Sequence, residues 1–221
     1  MFRKDPDHLY RAEPLAALPW LEHGFGTRLS EGWHAGRRTA LLTQVHSALA
    51  LVAERDGLIG EADALISNQP CLLLGVRTAD CAPIILADPV HRSVAVIHAG
   101  WRGAAGEIVA RTIQLLEETY RTQAAHLTAA IGPTIGECCY EVGPEVASRF
   151  ERWFPERDDL DQRTRLDLEE ALYRQLVEAA VPPQHISRSG LCTRCGEEEF
   201  YSYRRQGKAA GRMVSGVAIW P

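Results

Sequence analysis

Ala64-Leu65-Ile66-Ser67, Cys71-Leu72-Leu73-Leu74-Gly75-Val76, Pro83-Ile84-Ile85-Leu86-Ala87 and Val94-Ala95-Val96-Ile97 follow one another through the middle of the chain, with turn residues between them. The runs are short, apolar and without strict alternation. That pattern suits strands whose two faces are both covered. Outward from them the period changes. Ile108, Val109, Ile113, Leu115 and Leu116 have helical spacing and predict a helix over Gly106 to Tyr120. Leu127 to Ile131 reads as another strand, closed by Gly132-Pro133. Gly143-Pro144-Glu145 opens a second helix, with proline at a tolerated early position. Leu166 to Ala180 is a third, stopped by Pro182-Pro183. Ile186 and Val214 to Ile219 read as late strands, and Leu41 to Val52 as two short strands around His46. Strands and helices alternate and no linker divides them, which predicts one α/β domain, residues 1–221, with a mixed sheet. Residues 1–21, rich in proline and charge, are expected to pack loosely against it, and Pro155 to Arg165 to form a surface loop.

The composition sets limits on function. The 221 residues are 46% hydrophobic and 24% charged, enough to build a core without disulfides. The net charge of -5 argues against a nucleic-acid partner, because phosphate backbones require clustered excess Lys and Arg. It leaves room for a local cationic pocket. No apolar stretch approaches the roughly 20 residues that span a bilayer. With no export signal in view, a cytoplasmic location is expected. The six cysteines are then reduced, and metal or catalytic use is favoured over bridging.

Three residues stand beside turns that follow apolar runs: His46 in Thr43-Gln44-Val45-His46, Cys81 in Thr78-Ala79-Asp80-Cys81-Ala82-Pro83, and His98 in His98-Ala99-Gly100-Trp101-Arg102-Gly103. Two imidazoles and a thiolate suit Zn2+ with a fourth position open to water or substrate. Spacings of 35 and 17 residues (81 - 46 and 98 - 81) make no local metal motif. The competing reading is a core thiol and two hydrogen-bonded structural histidines. Strand ends are nevertheless where α/β proteins gather functional groups, and Ala99-Gly100 permits close backbone approach. Asp80 is either a carboxylate orienting a ligand histidine or a turn residue. Arg28, Arg77 and Arg102 lie beside the same turns and suit phosphate or carboxylate. A helix start near Gly103-Ala104-Ala105-Gly106 would add backbone N–H groups for an anion. Cys192-Thr193-Arg194-Cys195 is a single CxxC without a second pair, read as structural. Cys138-Cys139 reads as two free thiols or a packing pair. Phe200-Tyr201-Ser202-Tyr203-Arg204-Arg205 either covers the core or stacks a planar ring beside an anion.

At these residues the chain resembles the laccase-domain family, first described as multicopper polyphenol oxidases and also called peptidoglycan editing factor and purine nucleoside phosphorylase. The segments that carry the resemblance are Gly26-Thr27-Arg28, Gln44-Val45-His46, Ala62-Asp63-Ala64-Leu65-Ile66-Ser67, Thr78-Ala79-Asp80-Cys81 and His98-Ala99-Gly100-Trp101-Arg102-Gly103. They continue with Ile131-Gly132-Pro133, Cys139-Tyr140-Glu141-Val142-Gly143, Asp167-Leu168, Cys192-Thr193 and Phe200-Tyr201-Ser202-Tyr203-Arg204-Arg205. The resemblance implies layered sheets flanked by helices, similar to the catalytic domain of cytotoxic necrotizing factor. It implies one zinc ion on His46, Cys81 and His98, with Cys81 essential, and places Arg28 and Gln44 in a substrate or phosphate pocket. The implied reaction is phosphorolysis of adenosine, inosine and S-methyl-5'-thioadenosine, with adenosine deamination as a second activity. Its partners are a purine nucleoside and phosphate. The alternatives are a copper (Cu2+) polyphenol oxidase, a cysteine hydrolase acting on peptidoglycan precursors, and a zinc-stabilised binding module. The chain departs from the family pattern between Leu29 and Leu42, where the usual Gly-Gly, Asn-Leu-Gly and Gly-Asp patterns are missing. Ala210-Gly211-Arg212 stands where Thr-Gly-Arg is usual.

Overall fold

The computed structural model describes residues 1–30 and 32–220; Glu31 and Pro221 lie outside the described residues. Three layers stack on one another. The central layer is a six-stranded mixed sheet in the spatial order Ile186–Arg188, Thr128–Ile131, Ala82–Asp88, Ser93–Ala99, Ala64–Ser67, Ala50–Val52. Its inner strands pair antiparallel, and the two edge strands join parallel. A five-stranded mixed sheet covers one face, in the order Leu21–Gly24, Met213–Ile219, Leu73–Thr78, Thr39–Thr43, Gly57–Glu61. The helices Ile108–Tyr120 and Leu168–Glu178 cover the other.

The apolar runs lack alternation because each strand feeds two cores. Ile84 and Leu86 point with Ala95 and Ile97 toward Val109, Ile113, Leu116, Leu172 and Leu176 of the helices. Ile85 and Ala87 point with Val94 and Val96 toward Leu42, Leu72, Leu74 and Val76 of the second sheet. The period of two is present but hidden, since both faces require apolar side chains.

Four expectations change in detail. The segment before Leu21 packs firmly. Phe2–Lys4 and Tyr10–Ala12 form a hairpin, Glu13–Ala16 a helical turn, and Leu9, Ala12, Leu15 and Trp20 are buried. Lys4 and Tyr10 both bind the Glu199 carboxylate, tying the segment to the late part of the chain. The apolar side chains, not the intervening charges, decide its packing. The first long helix begins at Ile108 rather than Gly106, because Glu107 takes a left-handed conformation with φ 62°. The preceding short helix spans Trp101–Ala105, so Gly103–Gly106 lies at its end and offers no N-terminus to an anion. The polar stretch over 155–165 is mostly loop, but it inserts Leu160 into the helical core and ends in the short strand Thr164–Arg165. No helix among the described residues is long and apolar enough to cross a membrane.

Candidate metal site and its cleft

The ends of the two sheets meet at one rim, and the loops leaving them carry the three predicted ligands. His46 sits in the loop that leaves the five-stranded sheet after Thr43 and enters the six-stranded sheet at Ala50. Cys81 lies in the turn between Leu73–Thr78 and Ala82–Asp88, so it too bridges the sheets. His98 is the penultimate residue of Ser93–Ala99. The fold closes the two long sequence gaps. Ligand atoms of His46, Cys81 and His98 all lie within 4.8 Å of one another. The two imidazoles stand edge to face with centroids 4.9 Å apart. His98 is buried, Cys81 half-buried and His46 exposed, which grades the group from the core to the solvent.

The carboxylate that organises this group is Asp63, and sequence reasoning did not single it out. It is fully buried just ahead of the Ala64–Ser67 strand. Antiparallel pairing of Ile97 with Ala64 brings it beside His98, whose Nδ1 donates to Asp63 Oδ1 at 2.8 Å. Its Oδ1 also accepts the His46 N–H at 3.0 Å, and Oδ2 accepts from the Ser47 N–H at 2.6 Å and the Ser47 hydroxyl at 2.8 Å. One carboxylate thereby fixes the backbone that presents His46 and the tautomer of His98, leaving the other ring nitrogen of His98 for a metal or for Cys81. Burial pushes Asp63 up, but hydrogen bonds from His98 and Ser47 outweigh it and hold the carboxyl below its ordinary range.

Asp80 has the other of its two expected roles. Its carboxylate accepts from Thr193 Oγ1 at 2.6 Å and from the Arg204 N–H at 2.6 Å, and touches neither histidine. Its carbonyl accepts from Thr134 Oγ1 at 2.7 Å and from the Ile135 N–H at 2.9 Å. Four partners hold it at φ 93°, a conformation that costs a non-glycine residue about 1 kcal/mol or more. Asp80 therefore fixes the turn that presents Cys81.

Electrostatics favours a thiolate at Cys81. Burial opposes the charge, but hydrogen bonds from His46 and His98 overcome it and bring the thiol down to about 6. Burial likewise opposes charge on His98, and its bonds to Asp63 and Cys81 reverse that and raise it to about 9. Asp63, His98 and Cys81 form a chain of alternating charge. Gly100 makes space for it: a Cβ there would stand 2.8 Å from Cys81 Sγ and 3.3 Å from the His46 ring.

The group opens into a cleft of about 720 Å3. Gln44 lines it, yet both ends of its amide are engaged, donating to the Arg77 carbonyl and accepting from the Arg77 N–H at 2.8 Å each. Arg77, Arg102, Arg204 and Arg212 converge on the same space, and none pairs with a carboxylate among the described residues. Trp101, Tyr140 and Tyr203 supply ring surface. In the Phe200–Arg205 stretch Phe200 and Ser202 are buried, while Tyr203 and Arg204 line the cleft. Arg28 lies outside the lining. Its guanidinium donates to the Glu197 carbonyl at 3.1 Å and rests over the Tyr201 ring. Of the described residues between Leu29 and Leu42 none lines the cleft; the wall comes from Tyr203, Arg204 and Arg212. Four of the five cysteines outside the cleft, read as two separate pairs from sequence, come together: Cys138, Cys139, Cys192 and Cys195 also have their sulfurs within 4.8 Å of one another.

Comparison with known proteins identifies the family. Residues 27–220 match the family described as multi-copper polyphenol oxidoreductase laccase. A purine nucleoside phosphorylase of Clostridium acetobutylicum is 36% identical over 185 residues, 83% of this chain and 78% of that protein. One of Deinococcus radiodurans is 40% identical over 186 residues, 81% of this chain and 70% of that protein. An adenosine deaminase from an unknown prokaryotic organism is 36% identical over 188 residues, 81% of this chain and 70% of that protein. The crystal structure of YlmD from Geobacillus stearothermophilus superposes with a TM-score of 0.89 at 28% identity, covering 100% of this chain and 99% of that one. Motifs, three-layer fold and relatives all agree: the chain belongs to the laccase-domain family.

Proposed function

We propose that this protein is a zinc-dependent purine nucleoside phosphorylase acting on adenosine, inosine and S-methyl-5'-thioadenosine, with adenosine deamination as a second activity. The observation that carries the reading is the junction, in one cleft, of the His46, Cys81 and His98 group with four arginines. The volume lies within the roughly 300–1,000 Å3 of small-molecule sites. The relatives named as phosphorylases and as an adenosine deaminase support both activities.

The donor set fits zinc: two imidazole nitrogens and a low-lying thiolate, with the cleft on the remaining side. When bound, zinc supplies Lewis acidity to an oxygen or nitrogen at the open position. His46, Cys81 and His98 would hold it, and Asp63 would keep His98 in the ligating tautomer. The arginines bind the phosphate dianion and set one of its oxygens against C1' of the ribose. That oxygen forms the new C–O bond as the C1'–N9 bond breaks, and the electron pair leaves with the purine. Trp101, Tyr140 and Tyr203 pack against the base and exclude water from it. In the deamination the same base pocket presents C6 to a water, whose oxygen bonds C6 as the C6–N6 bond breaks and ammonia leaves, and phosphate takes no part.

Copper oxidase chemistry of the multicopper type requires more histidines in one place than the two this cleft brings together. The deciding experiment is mass spectrometry of the zinc-loaded protein incubated with adenosine, with and without phosphate, beside Cys81→Ala. Adenine and ribose 1-phosphate formed only with phosphate, and only by the unsubstituted protein, is the expected result. Turnover that survives both chelation and Cys81→Ala overturns the reading. Loss by alkylation of Cys81 in a metal-free, still active protein transfers it to a cysteine hydrolase.

A further inference from the structure

We infer that Cys138, Cys139, Cys192 and Cys195 form a second metal site, a closed tetrathiolate zinc centre that fixes the loops behind the cleft. The four sulfurs lie within 4.8 Å of one another. The individual separations are 3.7 Å for Cys138–Cys139, 3.6 Å for Cys138–Cys195 and 3.4 Å for Cys139–Cys195. A tetrahedral zinc with Zn–S bonds of about 2.3 Å places its sulfurs about 3.8 Å apart. A disulfide requires about 2.05 Å, and all four thiols are free. The arrangement is therefore sized for a thiolate-bound ion.

The surroundings suit a thiolate cluster. The Gly136 N–H donates to Cys192 Sγ at 3.3 Å. A Cβ on Gly136 would stand 3.4 Å from Cys138 Sγ and 3.2 Å from the Cys192 Cβ, so glycine keeps the two loops this close. Arg194 hydrogen-bonds Cys139 and offsets part of the negative charge. Four thiols give up four protons to bind one Zn2+, leaving a net charge of -2 on the cluster. Four thiolates in a tetrahedron are the donor set of zinc or of an iron–sulfur centre, and they exclude magnesium, which takes hard oxygen ligands. With every position taken by protein, the site has no place for substrate and acts on structure.

Its position gives that action a target. The two loops it joins also pair through the bridge of Thr134 with Cys192, with the Thr193 N–H donating to the Thr134 carbonyl at 2.9 Å. Thr134 and Thr193 are two of the four residues that hold Asp80 beside Cys81. The second zinc thus stabilises the frame of the first site without touching it.

The test is metal quantification on the full chain, purified under reductant, by elemental analysis and native mass spectrometry. Two zinc ions per chain are expected in the unsubstituted protein, one in Cys81→Ser, and one in the double variant Cys138→Ser with Cys195→Ser. Should the double variant fail to fold, cobalt replaces zinc in Cys81→Ser, where all four cluster cysteines remain. Intense sulfur-to-cobalt charge transfer with tetrahedral d–d bands then supports the centre. A single zinc that vanishes in Cys81→Ser overturns it. So does a protein 4 Da lighter with two disulfides and no metal at the cluster, and iron found there instead overturns the zinc assignment. The zinc retained in Cys81→Ser reads the cluster alone and does not depend on the proposed function, whereas the count of two also requires zinc at the first site.

Discussion

Replacing Asp63 by asparagine tests how the site is assembled. The carboxylate accepts five hydrogen bonds, two at Oδ1 from His46 N–H and His98 Nδ1–H, and three at Oδ2 from Val45 N–H, Ser47 N–H and the Ser47 hydroxyl. Asparagine keeps one acceptor and turns the other into a donor. With the NH2 in the Oδ1 position it opposes the His46 N–H and drives the His98 proton onto Nε2, the atom left for a metal. In the Oδ2 position it opposes the N–H groups of Val45 and Ser47. Two charge-assisted bonds are lost either way, each worth about 1.5–3 kcal/mol. Water reaches the exposed His46 loop and relieves part of that, so the expected destabilisation is about 3 kcal/mol. Loss of the orienting partner weakens zinc at Cys81 by about 10- to 100-fold. Urea unfolding of the metal-free protein reads the first quantity. The second is read by chelator competition, scored as protection of Cys81 from iodoacetamide by peptide mapping, which separates this site from the other cysteines. A variant as stable as the unsubstituted protein, with Cys81 protected at the same free zinc, refutes the role given to Asp63.

Gly100→Ala places a methyl carbon 2.8 Å from Cys81 Sγ at a position whose φ of -81° suits alanine; turnover and zinc protection of Cys81 are expected to fall at least tenfold while the melting temperature changes little. Arg102→Gln is expected to raise the phosphate KM about tenfold, the worth of one charge-assisted bond, and to leave inosine formation without phosphate unchanged. His23, buried with its Nε2 accepting the Ala12 N–H, is lowered to about 3 by burial and then by Arg11. Its stability contribution is full above the unfolded value near 6.5 and lost as pH falls toward 3. About 2 kcal/mol goes by pH 5, and urea midpoints of His23→Gln should fall less steeply over that range.

Particular residues show why some of this was legible in the sequence. The strands at Ala82–Asp88 and Ser93–Ala99 were readable because burial on both faces leaves continuous apolar runs. The helix at Leu168–Glu178 was readable because its stripe is intact and Asp167 caps it, accepting the Glu170 N–H. The carboxylate partner of His98 was not. Asp63 and Asp80 both follow an alanine and adjoin a strand, and only the pairing of Ile97 with Ala64 puts Asp63 beside the imidazole. The same holds for the second thiol group. Cys192 and Cys195 have local CxxC spacing, but their partners Cys139 and Cys138 lie 53 and 54 positions back from Cys192 (192 - 139 and 192 - 138), delivered by the bridge at Thr134. Arg28 looked suited to phosphate by its neighbours in sequence, and the turn instead directs it to Glu197 and Tyr201.

The two strained residues explain how loops can build a site this well defined. His46 stands at φ 57° and Asp80 at φ 93°, both in the left-handed region that non-glycine residues avoid. Each costs about 1–3 kcal/mol and persists only where the surroundings over-determine it. His46 is held by Asp63 through its own N–H and that of Ser47, and Asp80 by Thr134, Ile135, Thr193 and Arg204. These holders come from the strand ends and from the loops that meet at Thr134 and Cys192. The position of every ligand therefore depends on contacts between elements remote in sequence, and the geometry is set when the three layers dock, before any metal or substrate arrives. A site prepared in this way loses little order on binding, which is the condition under which fixed side chains and oriented charges act on a bound molecule with most effect.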